Sequence, residues 1–233
     1  MSAVRKVALV SGANRGIGAA VAARLAADGW ALSLGARSGA VDAVAPGPTV
    51  HVRAYDATAE GSEAAWVAEA LDRFGRIDAV VANAGLLIAK DVVAAEDADL
   101  DAMLDVNVKA PRRLIKAAWP ALTAHGHGRV VVVASLSGKR VKSAKSGLYA
   151  MTKHAALALA HAVRHAGWAQ GVRATAVCPG FVATDMARGL SAMPPSAMTR
   201  PEDVARLVAL ALDLPNEASV AELAVNCQAE DSF

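Results

Sequence analysis

Aromatic side chains are scarce in this chain of 233 residues. Three Phe, four Trp and two Tyr make up 4% of it, so the 55% of hydrophobic residues are mostly small aliphatics, chiefly Ala and Val. Such residues suit helices packed closely on a sheet, and 55% hydrophobic against 20% charged residues excludes an intrinsically disordered chain. Cysteine is nearly missing. Cys178 and Cys227 are too few for a disulfide framework, and both lie in apolar, strand-like contexts, which points to a reducing compartment. A surplus of one charge is lacking too. Twenty-four basic against 22 acidic side chains leave +2, which argues against nucleic acid or a membrane surface as partner. Long hydrophobic runs are absent. Val7 to Val10 is too short for the core of a signal peptide, and no stretch reaches the roughly 18 apolar residues of a membrane span. The expectation is a soluble, cytoplasmic protein.

What the sequence has is alternation. Short β-branched runs at 6–10, 31–34, 49–52, 79–82, 129–134, 172–177 and 220–225 predict strands, mostly apolar throughout, as strands covered on both faces should be. Ala-rich helical patterns occupy 16–28, 62–74, 98–122, 149–166 and 201–213. Segment 38–48 is rich in turn residues and predicts a stunted crossover. With no linker and no repeat, the alternation implies one α/β domain over 1–233. Its predicted fold is a doubly wound parallel sheet, a Rossmann fold, of about seven strands with helices on both faces.

Directly after the first strand comes Gly12-Ala13-Asn14-Arg15-Gly16-Ile17-Gly18. Glycines there let the backbone approach a pyrophosphate, whose charge meets the amide N–H groups of the following helix; alone, such a turn can also be purely structural. The second strand ends Leu34-Gly35-Ala36-Arg37. Ala36 stands where an NAD-selective site carries an acid for the ribose 2′-hydroxyl. A missing acid beside a guanidinium favours a 2′-phosphate, hence NADP(H), and Arg15 is placed to approach the same phosphate. Asp56 and Asn83-Ala84-Gly85 follow the third and fourth strands, at the sheet edge where ligands of such folds bind; each is also an ordinary turn former.

Tyr149 and Lys153 stand at i and i+4, on one face of a helix. A phenol titrating near about 10 is a poor proton carrier at neutral pH, and a neighbouring ammonium favours the phenolate, as acid–base work on a carbonyl or alcohol requires. Ser135 ends the fifth strand and offers a hydrogen bond to the same substrate oxygen. Asn107, in the long helical stretch, offers an amide for a proton relay.

In this order the motifs Ser11-Gly12-x3-Gly16-x-Gly18, Asp56, Asn83-Ala84-Gly85, Asn107, Ser135, Tyr149-x3-Lys153 and Pro179-Gly180-Phe-Val-Ala-Thr184 resemble the short-chain dehydrogenase/reductase family over residues 5 to 186. The resemblance implies that Tyr149 passes a proton to or from the substrate oxygen while hydride moves to or from nicotinamide. Lys153 would bond the nicotinamide ribose and lower the tyrosine pKa. Ser135, with Ser137 as the alternative, would polarise the carbonyl, and Asn107 would hold a water linking Lys153 to solvent. Pro179, Gly180, Val182 and Thr184 would contact the nicotinamide end. Asp56 would read the adenine. The partners implied are a small carbonyl or alcohol substrate and a second copy of the chain, as homodimer or homotetramer.

Three features stand outside that pattern. Residues 187–199 form a short segment that reads either as an apolar lid over the substrate or as a surface connection. Lys139, Arg140, Lys142 and Lys145 form a basic stretch that could attract an anionic substrate or an acidic carrier, or be a solvated loop; Arg112-Arg113 could extend it. The C-terminal Val220–Cys227 run departs from the family's usual ending. The readings left open are a carbonyl reductase, a 3-oxoacyl-carrier reductase, and an NADP(H)-sensing regulator without catalysis. The six histidines supply no metal-ligand set: His161 and His165 lack a third ligand.

Overall fold

The computed structural model describes residues 5–229. Its seven strands are β1 (Val7–Ser11), β2 (Ala31–Ala36), β3 (Val50–Ala54), β4 (Ala79–Ala82), β5 (Arg129–Val133), β6 (Arg173–Pro179) and β7 (Glu222–Val225). They form one sheet in the order β3-β2-β1-β4-β5-β6-β7, and every pairing is parallel. The helices are α1 (Gly16–Ala27), α2 (Ser62–Phe74), α3 (Asp97–Leu104), α4 (Ala110–Thr123), α5 (Gly147–Gly167) and α6 (Pro201–Asp213). No helix crosses from β2 to β3, where residues 38–48 hold turns, bends and one bridge residue, Gly47, as their composition predicts.

The strand interiors show why the runs are continuously apolar. In β5, Val130 and Val132 face one layer, with Trp66 of α2, Leu114 and Leu122 of α4, and Ala156 and Ala160 of α5. Val131 and Val133 face the other, with Val21 and Leu25 of α1 and Val204, Val208 and Leu212 of α6. Alternate side chains of one strand thus enter two different cores. The edge strands β3 and β7 are only partly buried. Cys227 lies beyond the end of β7, so only Cys178 is a strand residue.

The predicted helix over 98–122 is interrupted. Between α3 and α4, residues Asp105–Lys109 form a π-helical turn, and Asn107 is buried within it. Pro111 has no N–H to give the carbonyl four residues back, that of Asn107, so the α-helical ladder cannot run through this point.

The largest fully buried side chain, Trp66, joins packing to hydrogen bonding. Its Nε1 donates to Ser33 Oγ at 2.8 Å, and its ring lies so close to Gly35 that a Cβ there would come within 2.7 Å of it. Trp66 therefore fixes the end of β2 just before Arg37. Replacing it should leave a cavity and remove one of the two hydrogen bonds of Ser33 Oγ, which also meets His51 Nδ1 at 3.0 Å. Trp66→Ala is expected to cost about 3–5 kcal/mol in urea unfolding.

Candidate active site

The sheet order reverses between β1 and β4, and a cleft of about 1070 Å³ opens along the carboxyl ends of the strands there. It runs from Arg37, Asp56 and Thr58 at one end to Ser135, Tyr149, Leu190 and Gln228 at the other.

The glycine-rich turn forms the floor. Gly12 and Gly16 adopt left-handed conformations, with φ of 66° and 54°. Gly18 is placed under the turn, not on the cleft surface: a Cβ on it would lie 2.1 Å from the Gly12 carbonyl oxygen. Asn83 holds the turn from behind, its Nδ2 donating to the carbonyls of Ser11 (3.0 Å) and Gly12 (3.2 Å). The backbone N–H groups of Asn83 and Ala84 both donate to Ser11 Oγ at 3.0 Å. No side chain caps the first turn of α1, and Asn14, Arg15, Gly16 and Ile17 line the cleft. An uncapped helix start behind a glycine turn fits the pyrophosphate of a dinucleotide.

Farther along the floor, Asp56 accepts from Thr58 through the backbone N–H (2.9 Å) and the hydroxyl (2.8 Å). These bonds, aided by the Arg37 charge, hold its carboxyl below the usual range. Arg15 reaches Asp185 at 3.5 Å, with both side chains well exposed. Asn83, Ala84, Gly85, Pro179, Gly180, Val182 and Thr184 all line the cleft. Gly180 donates its N–H to the Val225 carbonyl, and a Cβ on it would collide with Asn226.

At the other end, α5 presents Tyr149 and Lys153, both buried. Lys153 Nζ donates to the Val133 carbonyl at 2.9 Å and lies 5.6 Å from the centre of the Tyr149 ring. Burial pushes this ammonium down to about 8. Burial also pushes the Tyr149 phenol well above its ordinary range, against the opposing hydrogen bond to Ser135. In the protein alone burial pushes this phenol up, because desolvation outweighs the opposing influence of Ser135. Ser135 Oγ accepts the Ser137 N–H at 3.0 Å. Both serines line the cleft; the Ser135 hydroxyl donates to the Pro179 carbonyl at 3.4 Å, and it is Ser135 whose influence on Tyr149 works against burial.

Asn107 sits behind the wall and does not line the cleft. Its Nδ2 donates to the Leu86 carbonyl (2.8 Å) and Thr152 Oγ1 (2.9 Å), while its Oδ1 accepts the Leu86 N–H (2.8 Å). Both amide protons are thus committed to bracing the segment after β4 against α5. Thr152 was not singled out in the sequence; its signal is its place beside Lys153. The hydrophobic lining from Leu86, Leu87, Phe181 and Leu190 was equally silent.

Of the basic stretch, Arg140, Lys142 and Lys145 line the cleft. Lys139 does not; it is bonded to Glu222. Arg113 turns inward to Glu63 at 3.0 Å and the Ala57 carbonyl at 2.7 Å, so it does not extend a surface patch. In 187–199, Ala187, Gly189, Leu190 and Ser191 line the cleft, whereas Met193, Pro194, Pro195 and Met198 do not. The segment is tied down at its far end, where Thr199 bonds the backbone of Phe181 and Ala183. No group of three metal-ligating side chains occurs among the described residues, and no described helix is long and apolar enough to cross a membrane.

Comparison with known proteins agrees with this geometry. The short chain dehydrogenase family matches residues 6–195. Two Rhizobium rhizogenes proteins named Agropine synthesis reductase are 41% and 40% identical over 95% and 96% of the chain, which spans about half their length (52% and 53%). Oxidoreductase UcpA of Escherichia coli strain K12 is 31% identical over 97% of the chain and 89% of its own length. Among solved structures, an alcohol dehydrogenase from Thermococcus sibiricus complexed with 5-hydroxy-NADP superposes with a TM-score of 0.84 at 31% identity, covering 97% of this chain and 99% of that one. A short chain dehydrogenase from Burkholderia cenocepacia in complex with NADP gives 0.85 at 29%, covering 96% and 98%. A family match over most of the chain, relatives named reductases and oxidoreductases, and the same seven-stranded Rossmann architecture lead to one conclusion: the chain belongs to the short chain dehydrogenase family of oxidoreductases.

Proposed function

We propose that this protein is an NADP(H)-dependent oxidoreductase acting on a carbonyl or secondary alcohol, and that residues 1–233 form a single cofactor-binding and catalytic domain. The observation that carries the proposal is the meeting of Tyr149, Lys153 and Ser135 in one wall of a cleft whose far end carries Arg37 without an acid at Ala36. Two structural relatives described as complexes of NADP or a hydroxylated NADP support the cofactor choice. The cofactor, when bound, supplies or takes up the hydride.

The remaining chemistry belongs to the chain. Ser135 and Tyr149 together offer two hydroxyls to one substrate oxygen, which orients the carbonyl and polarises it. As charge develops on that oxygen, Tyr149 delivers its proton there; in the oxidative direction it removes one. A phenol raised by burial is protonated at neutral pH but is a weak acid, so the transfer depends on the charge that develops on the substrate oxygen and on stabilisation of the phenolate. Lys153, sharing the same dry pocket, stabilises the phenolate left behind. Asn107 acts as a positioning residue, fixing through Thr152 the turn of α5 that carries both groups. Arg15 and Arg37 take the 2′-phosphate, and Asp56 the adenine. The exposed residues of α5, Met151 among them, suit packing against a second copy in a homodimer or homotetramer. An acidic carrier as substrate loses one of its four expected cations, since Lys139 is engaged elsewhere.

Three outcomes test this reading. In fluorescence titrations NADPH should bind more tightly than NADH. Arg37→Asp should weaken NADPH by about ten- to a hundredfold and leave NADH nearly unchanged, as loss of a charge-assisted bond to phosphate requires; equal binding of the two cofactors to the unaltered protein would overturn the assignment. Tyr149→Phe should keep NADPH affinity and lose about 10²–10⁴-fold in kcat on a carbonyl substrate. Lys153 provides a pH signature in protein without added cofactor. Its folded pKa of about 8 lies below the ordinary lysine value, so above pH 8 the unfolded chain binds the extra proton and stability rises with pH until the unfolded lysine titrates as well. Thermal unfolding of Lys153→Met should lack that rise.

A further inference from the structure

Within the C-terminal run 220–227, whose ending departs from the family's usual one, Glu222 holds a central place. Glu222 opens β7, in register with Ala176 of β6. One carboxylate oxygen accepts from Lys139 Nζ, and the other accepts from His161 Nε2 at 2.7 Å. The three side chains are mostly shielded, between 21% and 37% exposed. They come from three elements: the edge strand, the turn after β5, and α5.

Each partner of Glu222 leads to a catalytic group. Lys139 is the last residue of a tight turn that begins at Ser135, where the N–H groups of Gly138 and Lys139 donate to the carbonyls of Ser135 (2.9 Å) and Leu136 (3.0 Å). That turn lies directly on α5: a Cβ on Gly138 would sit 2.5 Å from the Lys153 carbonyl oxygen. His161 stands two helical turns beyond Lys153 on α5. Besides Lys139 and His161, the titratable group facing Glu222 is Cys178 of β6, which is buried and protonated, its thiol pushed up to about 11 by burial. Lys139 above all, then His161, keeps Glu222 ionised. A shielded carboxylate between two donors is a stronger tie than an exposed pair.

We infer that Glu222 is a positioning residue for the reaction: it clamps the Ser135 turn to the Tyr149–Lys153 helix through Lys139 and His161, and so sets the spacing of the two hydroxyls that face the substrate oxygen. The inference rests on the reading of Ser135 and Tyr149 given above. Glu222 and Lys139 do not line the cleft, so the clamp should alter kcat and leave cofactor affinity alone.

The test compares Glu222→Gln, Lys139→Met and the double variant, by amide hydrogen exchange and by NADPH oxidation with 4-nitrobenzaldehyde as probe. In each variant the amides of Gly138, Lys139 and Arg140 should exchange faster. The kcat should fall about tenfold, as sub-ångström misplacement of a reacting group can cause. NADPH affinity should stay within about twofold of the unaltered protein, the limit set for no change. Because the two residues act as a unit, the double variant should be no worse than either single one. Unchanged exchange at those amides, unchanged kcat, strictly additive losses, or a fall in NADPH affinity matching that in kcat would each overturn the clamp. If the unaltered protein oxidises no NADPH with any carbonyl, it is the proposed function that fails. The exchange comparison still decides whether Glu222 holds the turn.

Discussion

A buried ammonium with a carbonyl for its partner is the constraint around which the site is arranged. Lys153 is 4% exposed, its Nζ bonded to the Val133 carbonyl. Taking a cation out of water is expensive, and no carboxylate lies within ion-pair distance of it among the described residues to offset the cost. Such a group is tolerated where the surrounding fold over-determines its position, and here the fold does so from several sides. The end of β5 supplies the acceptor, α5 fixes the Cα, and the segments after β4 and β5 close over the stem. The downward shift of Lys153 and the upward shift of Tyr149 are two readings of one fact, the dryness of this wall.

That dryness depends on close backbone approaches. Gly138 lets the Ser135 turn rest on the Lys153 carbonyl, where a Cβ would come within 2.5 Å of the oxygen. Its own φ does not require glycine. It is small because something else must come near, unlike Gly12 and Gly16, whose left-handed conformations few other residues adopt. The π-helical turn at Asn107 belongs to the same arrangement. By breaking the helix at Pro111, the chain aims a buried amide at two neighbours at once, Leu86 and Thr152, and so joins the β4 side of the cleft to α5.

The fold was legible because its signals are periodic and repeated. All seven strands and the stunted 38–48 crossover follow from short apolar runs, most of them β-branched, and from turn composition, with boundaries displaced by a few residues. The cleft's charged and glycine positions were legible for another reason: Tyr149, Lys153, Ser135 and the glycine turn carry chemistry that few other roles require in that order. What stayed hidden depends on partners distant in sequence. Nothing in Lys139-Arg140 shows which cation turns to Glu222, 83 residues away, and which lines the cleft. Arg113 looked like a surface charge until Glu63 faced it across the layer. The upward push on Tyr149 was hidden for a similar reason, since the lysine is visible at i+4 while burial is a property of the whole wall.

The basic stretch after β5 shows how these levels combine. Read as a run, its four cations form one electrostatic patch. In the fold they divide between two tasks, because a residue at the end of a tight turn points away from its neighbours farther along the loop. Lys139 joins a carboxylate and a histidine on the edge-strand side, where a shielded charge network can hold elements together. Arg140, Lys142 and Lys145 line the cleft. The same loop thus meets the outer strand on one flank and borders the cleft on the other. Under the clamp inferred above, a change in β7 would reach Ser135 although Glu222 itself does not line the cleft.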